Sequence, residues 1–268
     1  MRLIAVGDNV VDCYLDEGIY YPGGNAVNVA VGCKRSGGES AYLGIFGNDE
    51  EADHIKWALT QENISYEGSR VVDAFSGHPG VSLTAEGDRV FVGGPKDTAQ
   101  HIVRIRLTPK DLDHISGFDI CHTSCYSSIE YELPTLQKVC DVSFDFSSEH
   151  TQEEYLSLVC PYIRFAFFSG SDLNKEQIEA LIARVHQLGV EVVGITLGSD
   201  GALFSQKKNG ETKRFHQGIK PAKVIDTMGA GDSFIAGFLT HYFDHKHMED
   251  ALDFAATCAA KTCEENGG

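Results

Sequence analysis

An α/β fold, a mostly parallel sheet with helices on both faces, follows from three features of the sequence. Short apolar runs alternate with amphipathic stretches of helical period along most of the chain, the order that produces parallel strands joined by crossover helices. The chain has 268 residues, 42% hydrophobic and 23% charged, which is ordinary for one large domain with a full core. A glycine-rich stretch, "AFSGHPGVSLTAEGDRVFVGG", interrupts the alternation with two short β-like runs at 81–85 and 89–92. It reads as a hairpin and, with the segment near 13–22, as a small β lid outside the main sheet.

The elements follow in order. "RLIAVG" is a short apolar strand that ends in a polar turn, "NAVNVAVGCKR" a close-packed helix, "SAYLGIFG" a strand, and "EEADHIKWALTQEN" an amphipathic helix. After the hairpin, "FDICHTSC", "DVSFDFS", "RFAFFSG" and "VEVVGITLG" are expected core strands, with "NKEQIEALIARVHQLG" the clearest helix between them. "GALFSQKKNGETKRFHQ" reads as a surface hairpin turning at 207–210. "VIDTMGAGDSFIAGFL" (224–239) reads as the end of a buried strand at Val224-Ile225, a glycine turn, and a helix whose stripe is Phe234, Ile235, Phe238 and Leu239. "MEDALDFAATCAAKTCEEN" is an alanine-rich closing helix. The whole is one domain over 1–268.

The net charge of −17 argues against nucleic-acid binding, which needs an excess of Lys and Arg to release phosphate counterions. No apolar run approaches the ~20 residues of a membrane span, and the N-terminus has no signal-peptide pattern. The expectation is a cytoplasmic protein without membrane contact. Its eight cysteines contain no C-x-x-C pair and are expected to be reduced, buried thiols, with Cys263 the most exposed.

In an open α/β sheet, ligands bind at the carboxyl ends of the strands. Four polar or glycine-rich clusters fall there: Gly7-Asp8…Asp12, Gly23-Gly24-Asn25…Asn28, Thr196…Gly198…Gly201, and Asp226…Asp232. Neither a P-loop nor a G-x-G-x-x-G pattern is present, so phosphate would be held by backbone N–H groups. Gly229-Ala230-Gly231 opens a helix, where small residues and the helix N-terminus suit an anion. Asp232 beside them is either a cap or a base.

These residues also carry a resemblance. "DTMGAGDSFIAGFL", "PGGNAVNVAVGCKRSGGESAYLGIFGND" and "TLGSDGALF" are similar to the signatures of the ribokinase (PfkB) carbohydrate kinase family, and the elements run in the family's order. The resemblance implies a ribokinase-like, Rossmann-like domain with a β lid, an ATP-dependent sugar kinase using Mg²⁺. It implies that Asp232 is the general base and that the amides of Gly229, Ala230 and Gly231 form an anion hole for the moving phosphoryl group. Asp12, Gly23, Gly24, Asn25 and Asn28 are implied as sugar-contacting positions. Arg89 is an expected lid contact, with a solvated loop charge as the alternative. Thr196, Gly198 and Gly201 are implied to border adenine and ribose, and Asp226 and Thr227 to organise the nucleotide region. Helix caps and tight turns explain several of these residues without function.

Many members carry N-x-x-E after the third core strand, where this chain reads Ser169-Gly170-Ser171-Asp172. Asp172 would then hold Mg²⁺ through water. "VGDNVVDCY", "GGNAVNVAV", "DRVF", "FDFS" and "FAF" resemble the branch acting on fructoselysine at its 6-hydroxyl. Another ketose, 2-keto-3-deoxygluconate or a nucleoside is the alternative acceptor, and a non-catalytic sugar- or nucleotide-binding protein the alternative class. An exposed hairpin edge needs a cover, so a homodimer through the lid is also expected.

Overall fold

The computed structural model describes residues 1–83 and 89–267, and of residues 83 and 89–91 the backbone alone. In chain order the first elements are β1 (Arg2–Gly7), β2 (Val10–Tyr14), β3 (Ile19–Gly23), α1 (Asn25–Arg35), β4 (Glu39–Phe46), α2 (Glu50–Gln61) and β5 (Arg70–Val71). Next come β6 (Gly80–Leu83), β7 (Arg89–Gly93), the short α3 (Ala99–Ile102) and α4 (Pro109–Ile115), β8 (Ile120–Ser124), α5 (Leu133–Leu136) and β9 (Asp141–Asp145). Then follow α6 (Glu153–Val159), β10 (Phe165–Ser169), α7 (Lys175–Gln187), β11 (Val192–Thr196), β12 (Ala202–Lys208), β13 (Glu211–Gln217), α8 (Ala230–His245) and α9 (Met248–Thr262).

Among the described residues, nine strands form the main sheet in the order β13-β12-β11-β10-β9-β8-β1-β4-β5. Every pairing from β5 to β11 is parallel, and only β11–β12 and β12–β13 are antiparallel. The chain moves outward from β1 to β4 and later returns on the other side of β1 with β8. That reversal opens a crevice at the carboxyl ends of β1 and β8, the place where open α/β sheets bind ligands.

β1 shows how one strand serves two cores. Alternate side chains of a strand face opposite sides of the sheet. Leu3 and Ala5 join the core under α1, α2, α8 and α9, while Ile4 and Val6 join the core under α4 to α7. In the first core Phe204 and Phe238 pack tilted at 51° with centroids 4.8 Å apart; fully burying such a ring contributes about 2–3 kcal/mol. Here α8 touches both helical neighbours through small residues. A Cβ on Gly32 of α1 would stand 2.7 Å from the Ala236 Cβ, and one on Gly237 would stand 2.9 Å from the Cys258 sulfur of α9. The close approach of α1 to α8 brings the first turns of the two helices side by side.

β2, β3, β6 and β7 make a second, four-stranded sheet in the order β3-β2-β6-β7. β6 and β7 pair antiparallel, as the alternating runs predict; the turn expected at Glu86-Gly87-Asp88 lies outside the described residues. Tyr14, Val81 and Met228 form a small apolar cluster where this sheet meets the segment before α8.

Two expectations are corrected. The 202–217 hairpin extends the main sheet, because β12 pairs with β11 and buries Ala202, Phe204 and Ser205; its turn does lie at Asn209-Gly210, both at positive φ (53° and 82°), as a tight hairpin requires. Val224 and Ile225 are not the end of a buried strand. No strand covers them, and they are 52% and 42% exposed. The Ile225 N–H donates to the Cys263 carbonyl at 2.8 Å, so this stretch is tied to the end of α9 rather than to a sheet edge. Among the cysteines, five are buried and Cys125, Cys258 and Cys263 are half-buried. Among the described residues, no helix is long and apolar enough to cross a membrane.

Candidate active site

The crevice beside β1 is lined by polar groups that the strand ends deliver. Asp8 follows β1 and is buried; its Oδ1 accepts from Ser124 Oγ at 3.0 Å and Ser127 Oγ at 2.9 Å, both from the end of β8 and its loop. Asp145 ends β9, 8% exposed. Asn25 and Asn28 stand in the first turn of α1, and Asp232 stands half-buried in the first turn of α8.

These side chains form one network. Asn28 Nδ2 donates to Asp232 Oδ2 at 2.8 Å, and Asn25 Nδ2 donates to Asp232 Oδ1 at 2.8 Å. The second hydrogen of the Asn25 amide reaches Asp145 Oδ2 at 2.8 Å. Both Asn25 amide hydrogens are thus spent on carboxylates, so its Oδ1, 3.0 Å from His122 Nε2, accepts a hydrogen bond there. His122 Nδ1 in turn takes the hydroxyl of Ser143 at 2.9 Å.

Charge follows from burial. Enclosure in the core pushes His122 down to about 3, so it is neutral. Burial, with the Asp232 charge nearby, pushes Asp145 up to about 7, against the pull of the Ser147 N–H and the Asn25 amide.

The glycines have distinct duties. Gly229 takes the left-handed conformation (φ 68°) that turns the chain into α8. Gly231 is exposed, and among the described residues no atom beyond its chain neighbours and its own helical turn lies within 4 Å of where its Cβ would stand, so the face of the first turn is open. The Ala230 N–H lies 3.3 Å from the Thr227 carbonyl. Gly24 precedes α1 at φ 103°. Gly23 makes room for Asp12, whose Oδ2 is 2.2 Å from the position of a Cβ there. Asp12 itself is buried in β2 of the small sheet, so it is a strand residue and not a helix cap.

The remaining predicted residues are more dispersed. Asp226 is fully buried and accepts from Met228 N at 2.8 Å, Gly267 N at 2.9 Å and the Tyr14 hydroxyl. It therefore joins the segment before α8, the C-terminal tail and the small sheet. Thr227 follows it, half-buried. Thr196 ends β11, its hydroxyl 3.3 Å from the Phe168 carbonyl, and Gly198 and Gly201 sit in the turn to β12. Asp172 is 68% exposed beyond β10 and lies 3.3 Å from His150 Nε2. The side chain of Arg89 lies outside the described residues.

Sequence reasoning missed Asp145 and His122. The signal was a polar residue inside or ending an apolar strand, "DICHTS" and "DVSFD", since a buried imidazole or carboxylate must find partners.

A family model described as the pfkB family carbohydrate kinase matches residues 1–268. The chain belongs to the pfkB family of carbohydrate kinases. It is 47% identical to the fructosamine kinase FrlD of Bacillus subtilis over 98% of this chain and 91% of that protein. It is 31% identical to the fructoselysine 6-kinase of Escherichia coli over 99% of this chain and 98% of the relative. Among solved structures, Arabidopsis thaliana ribokinase complexed with ribose and ATP superposes with a TM-score of 0.83 at 25% identity, covering 100% of this chain and 94% of that one. This protein is thus an ATP-dependent sugar kinase of ribokinase-like fold, and the crevice is where its polar strand ends gather.

Proposed function

We propose that this kinase transfers the γ-phosphoryl group of ATP to the 6-hydroxyl of fructoselysine, with Asp232 as the base that takes the hydroxyl proton. The observation that carries the reading is the hold on Asp232: amides from Asn25 and Asn28 fix both its oxygens in the first turn of α8, beside the open face of Gly231. Phosphoryl transfer asks the protein for an oriented nucleophile and for charge stabilisation rather than covalent chemistry. Asp232 supplies the first. The opening N–H groups of α8 at Gly229, Ala230 and Gly231 would supply the second, since they head a sixteen-residue helix whose dipole favours negative charge. Burial and the nearby Asp232 charge push the Asp145 carboxyl up to about 7, so beside the base Asp145 is a carboxyl able to hold a proton near neutrality.

The acceptor is supported by the two relatives named for fructosamine and fructoselysine and by the charge of the crevice. Asp8 and Asp145 accept from hydroxyl, amide and backbone donors, and among the described residues neither pairs with a Lys or Arg. Such a site favours an acceptor that brings a cation, and the amine at C1 of fructoselysine is one. Asp12, Gly23, Gly24, Asn25 and Asn28 would border the sugar. Thr196, Gly198, Gly201 and Thr227 would border ATP, with the buried Asp226 holding the Thr227 segment in place.

Asp172 would hold Mg²⁺ through water. An exposed carboxylate suits a hard cation that keeps several waters and arrives with phosphate. Bound there, Mg²⁺ would neutralise charge on the phosphates. The small sheet would close over the sugar and exclude water. Leu15, Ile19, Tyr20 and Val92 on this sheet are exposed apolar groups, which supports a homodimer that covers them.

The test is ADP release from Mg²⁺-ATP with fructoselysine, fructose, ribose, 2-keto-3-deoxygluconate and adenosine. Preference for fructoselysine is the expected result. Turnover of another acceptor alone would discard the substrate and keep the mechanism.

A further inference from the structure

We propose that His122 is a positioning residue of the phosphoryl-transfer site: its Nε2–H holds the Asn25 amide so that the amide nitrogen stays between Asp145 and Asp232. The proposal rests on the reading of Asp232 as the base. Asp145 Oδ2 and Asp232 Oδ1 each lie 2.8 Å from one nitrogen, so they are at most 5.6 Å apart. Between two carboxylates this close, the amide must present its donors.

A carboxamide is nearly symmetric in shape, and a half-turn would bring its oxygen toward the oxygens of both carboxyl groups. Asn25 and His122 are joined by a hydrogen bond at the amide oxygen, at 3.0 Å. His122 can enforce the orientation only with a hydrogen on Nε2, and the structure provides for this. The ring is wholly enclosed in β8, and its other nitrogen faces the hydroxyl of Ser143, its register partner on β9. Ser143 Oγ–H to His122 Nδ1, His122 Nε2–H to Asn25 Oδ1, and Asn25 Nδ2–H to Asp145 and Asp232 form one directional chain. An apolar pair at 122 and 143 would fill the sheet with no polar groups to satisfy, and buried polar networks commonly cost stability relative to such packing. Orientation of Asn25 gives this pair a reason to be polar.

A core histidine that only satisfies itself predicts something different, and His122→Leu and His122→Gln separate the two. Leucine removes the donor, whereas the glutamine amide can place an N–H near the Nε2 position. We expect His122→Leu to lower kcat by ~30-fold with the KM for ATP changed less than about twofold, the pattern of a lost transition-state interaction. His122→Gln should recover kcat to within about fivefold of the parent. Nitrogen-15 NMR of the unaltered protein should show the His122 ring neutral and protonated at Nε2 across about pH 6–8. Equal kcat loss in both variants, or unchanged kcat with only a lowered thermal midpoint in His122→Leu, would overturn the proposal. So would a ring protonated at Nδ1. Should the unaltered protein phosphorylate none of the panel sugars, the functional reading fails on its own, and the NMR tautomer still decides whether His122 sets the Asn25 amide.

Discussion

Asp226 and Asp232 bracket one short glycine turn, yet the structure gives them opposite surroundings. Asp226 is sealed from water and receives two backbone N–H groups and a tyrosine hydroxyl, which tie together three separate parts of the chain. Asp232 is half-buried, held by two side-chain amides from another helix, and faces an open turn. A carboxylate whose oxygens end on the fold's own backbone is a structural joint. One held by side-chain amides at the mouth of a crevice is oriented and still reachable. Residue type and motif membership do not separate these roles; the partners do.

Exchanging Asp232 for Asn should sharpen that contrast most. The expected loss in kcat is ~10³-fold, the scale of a general base, with a thermal midpoint within about 2 °C of the parent because the surrounding fold keeps its contacts. Asp226→Ala should act the other way. It takes a buried acceptor away from the Tyr14 hydroxyl and two N–H groups, costing about 3 kcal/mol, or roughly 6 °C for a chain of this size. Denaturant unfolding would read this, and kcat per folded molecule should fall far less than in Asp232→Asn. If Asp226→Ala kept its stability and lost turnover, the comparison would break.

The next effect in size concerns the grip on the base. Asn28→Ala removes one of the two amides on Asp232 and should lower kcat by about tenfold, measured beside Asn28→Asp, which adds a like charge and should lower it further.

A smaller effect lies in pH. The folded pKa of Asp145 is raised to about 7 from an ordinary 3.8, so the folded state binds the proton more tightly than the unfolded chain. Stability from this group is full below about pH 4 and declines as pH rises toward 7. Asp145→Asn keeps an acceptor for Asn25 and abolishes the titration, so its thermal midpoint should drop less between pH 5 and pH 8 than the parent's. His122 runs in reverse: its pKa is lowered to about 3, so its neutral burial costs stability as pH falls below about 6.5. Smallest of all, Asp172→Ala should raise the Mg²⁺ concentration for half-maximal rate by about threefold, read by titrating the metal at fixed ATP.

Much of this architecture was legible in the sequence, for physical reasons that vary by element. "NKEQIEALIARVHQ" announces α7 through its apolar period, and in the structure a reciprocal cap between Asn174 and Gln177 opens that helix. Asn28 and Asp232 could be singled out because each begins a helix beside glycines, although their direct contact depends on Gly32 letting α1 approach α8. Val224-Ile225 misled because apolar β-branched residues signal a strand only where a neighbouring strand exists to pair with them. Asp145 and His122 were hidden by their setting. Each sits in a run of apolar residues, and what makes them significant is a partner from a different part of the chain, Asn25, which no local pattern reveals.

The central claim is that Asp232 takes the proton and contributes little to holding the substrates. Calorimetric titration of the Asp232→Asn protein with fructoselysine in the presence of a non-hydrolysable Mg²⁺-ATP analogue tests it directly, with turnover measured on the same sample. If Asp232 is the base, affinity should stay within a few-fold of the unaltered protein while turnover falls by ~10³. Affinity and turnover lost together would make Asp232 a binding residue and contradict it.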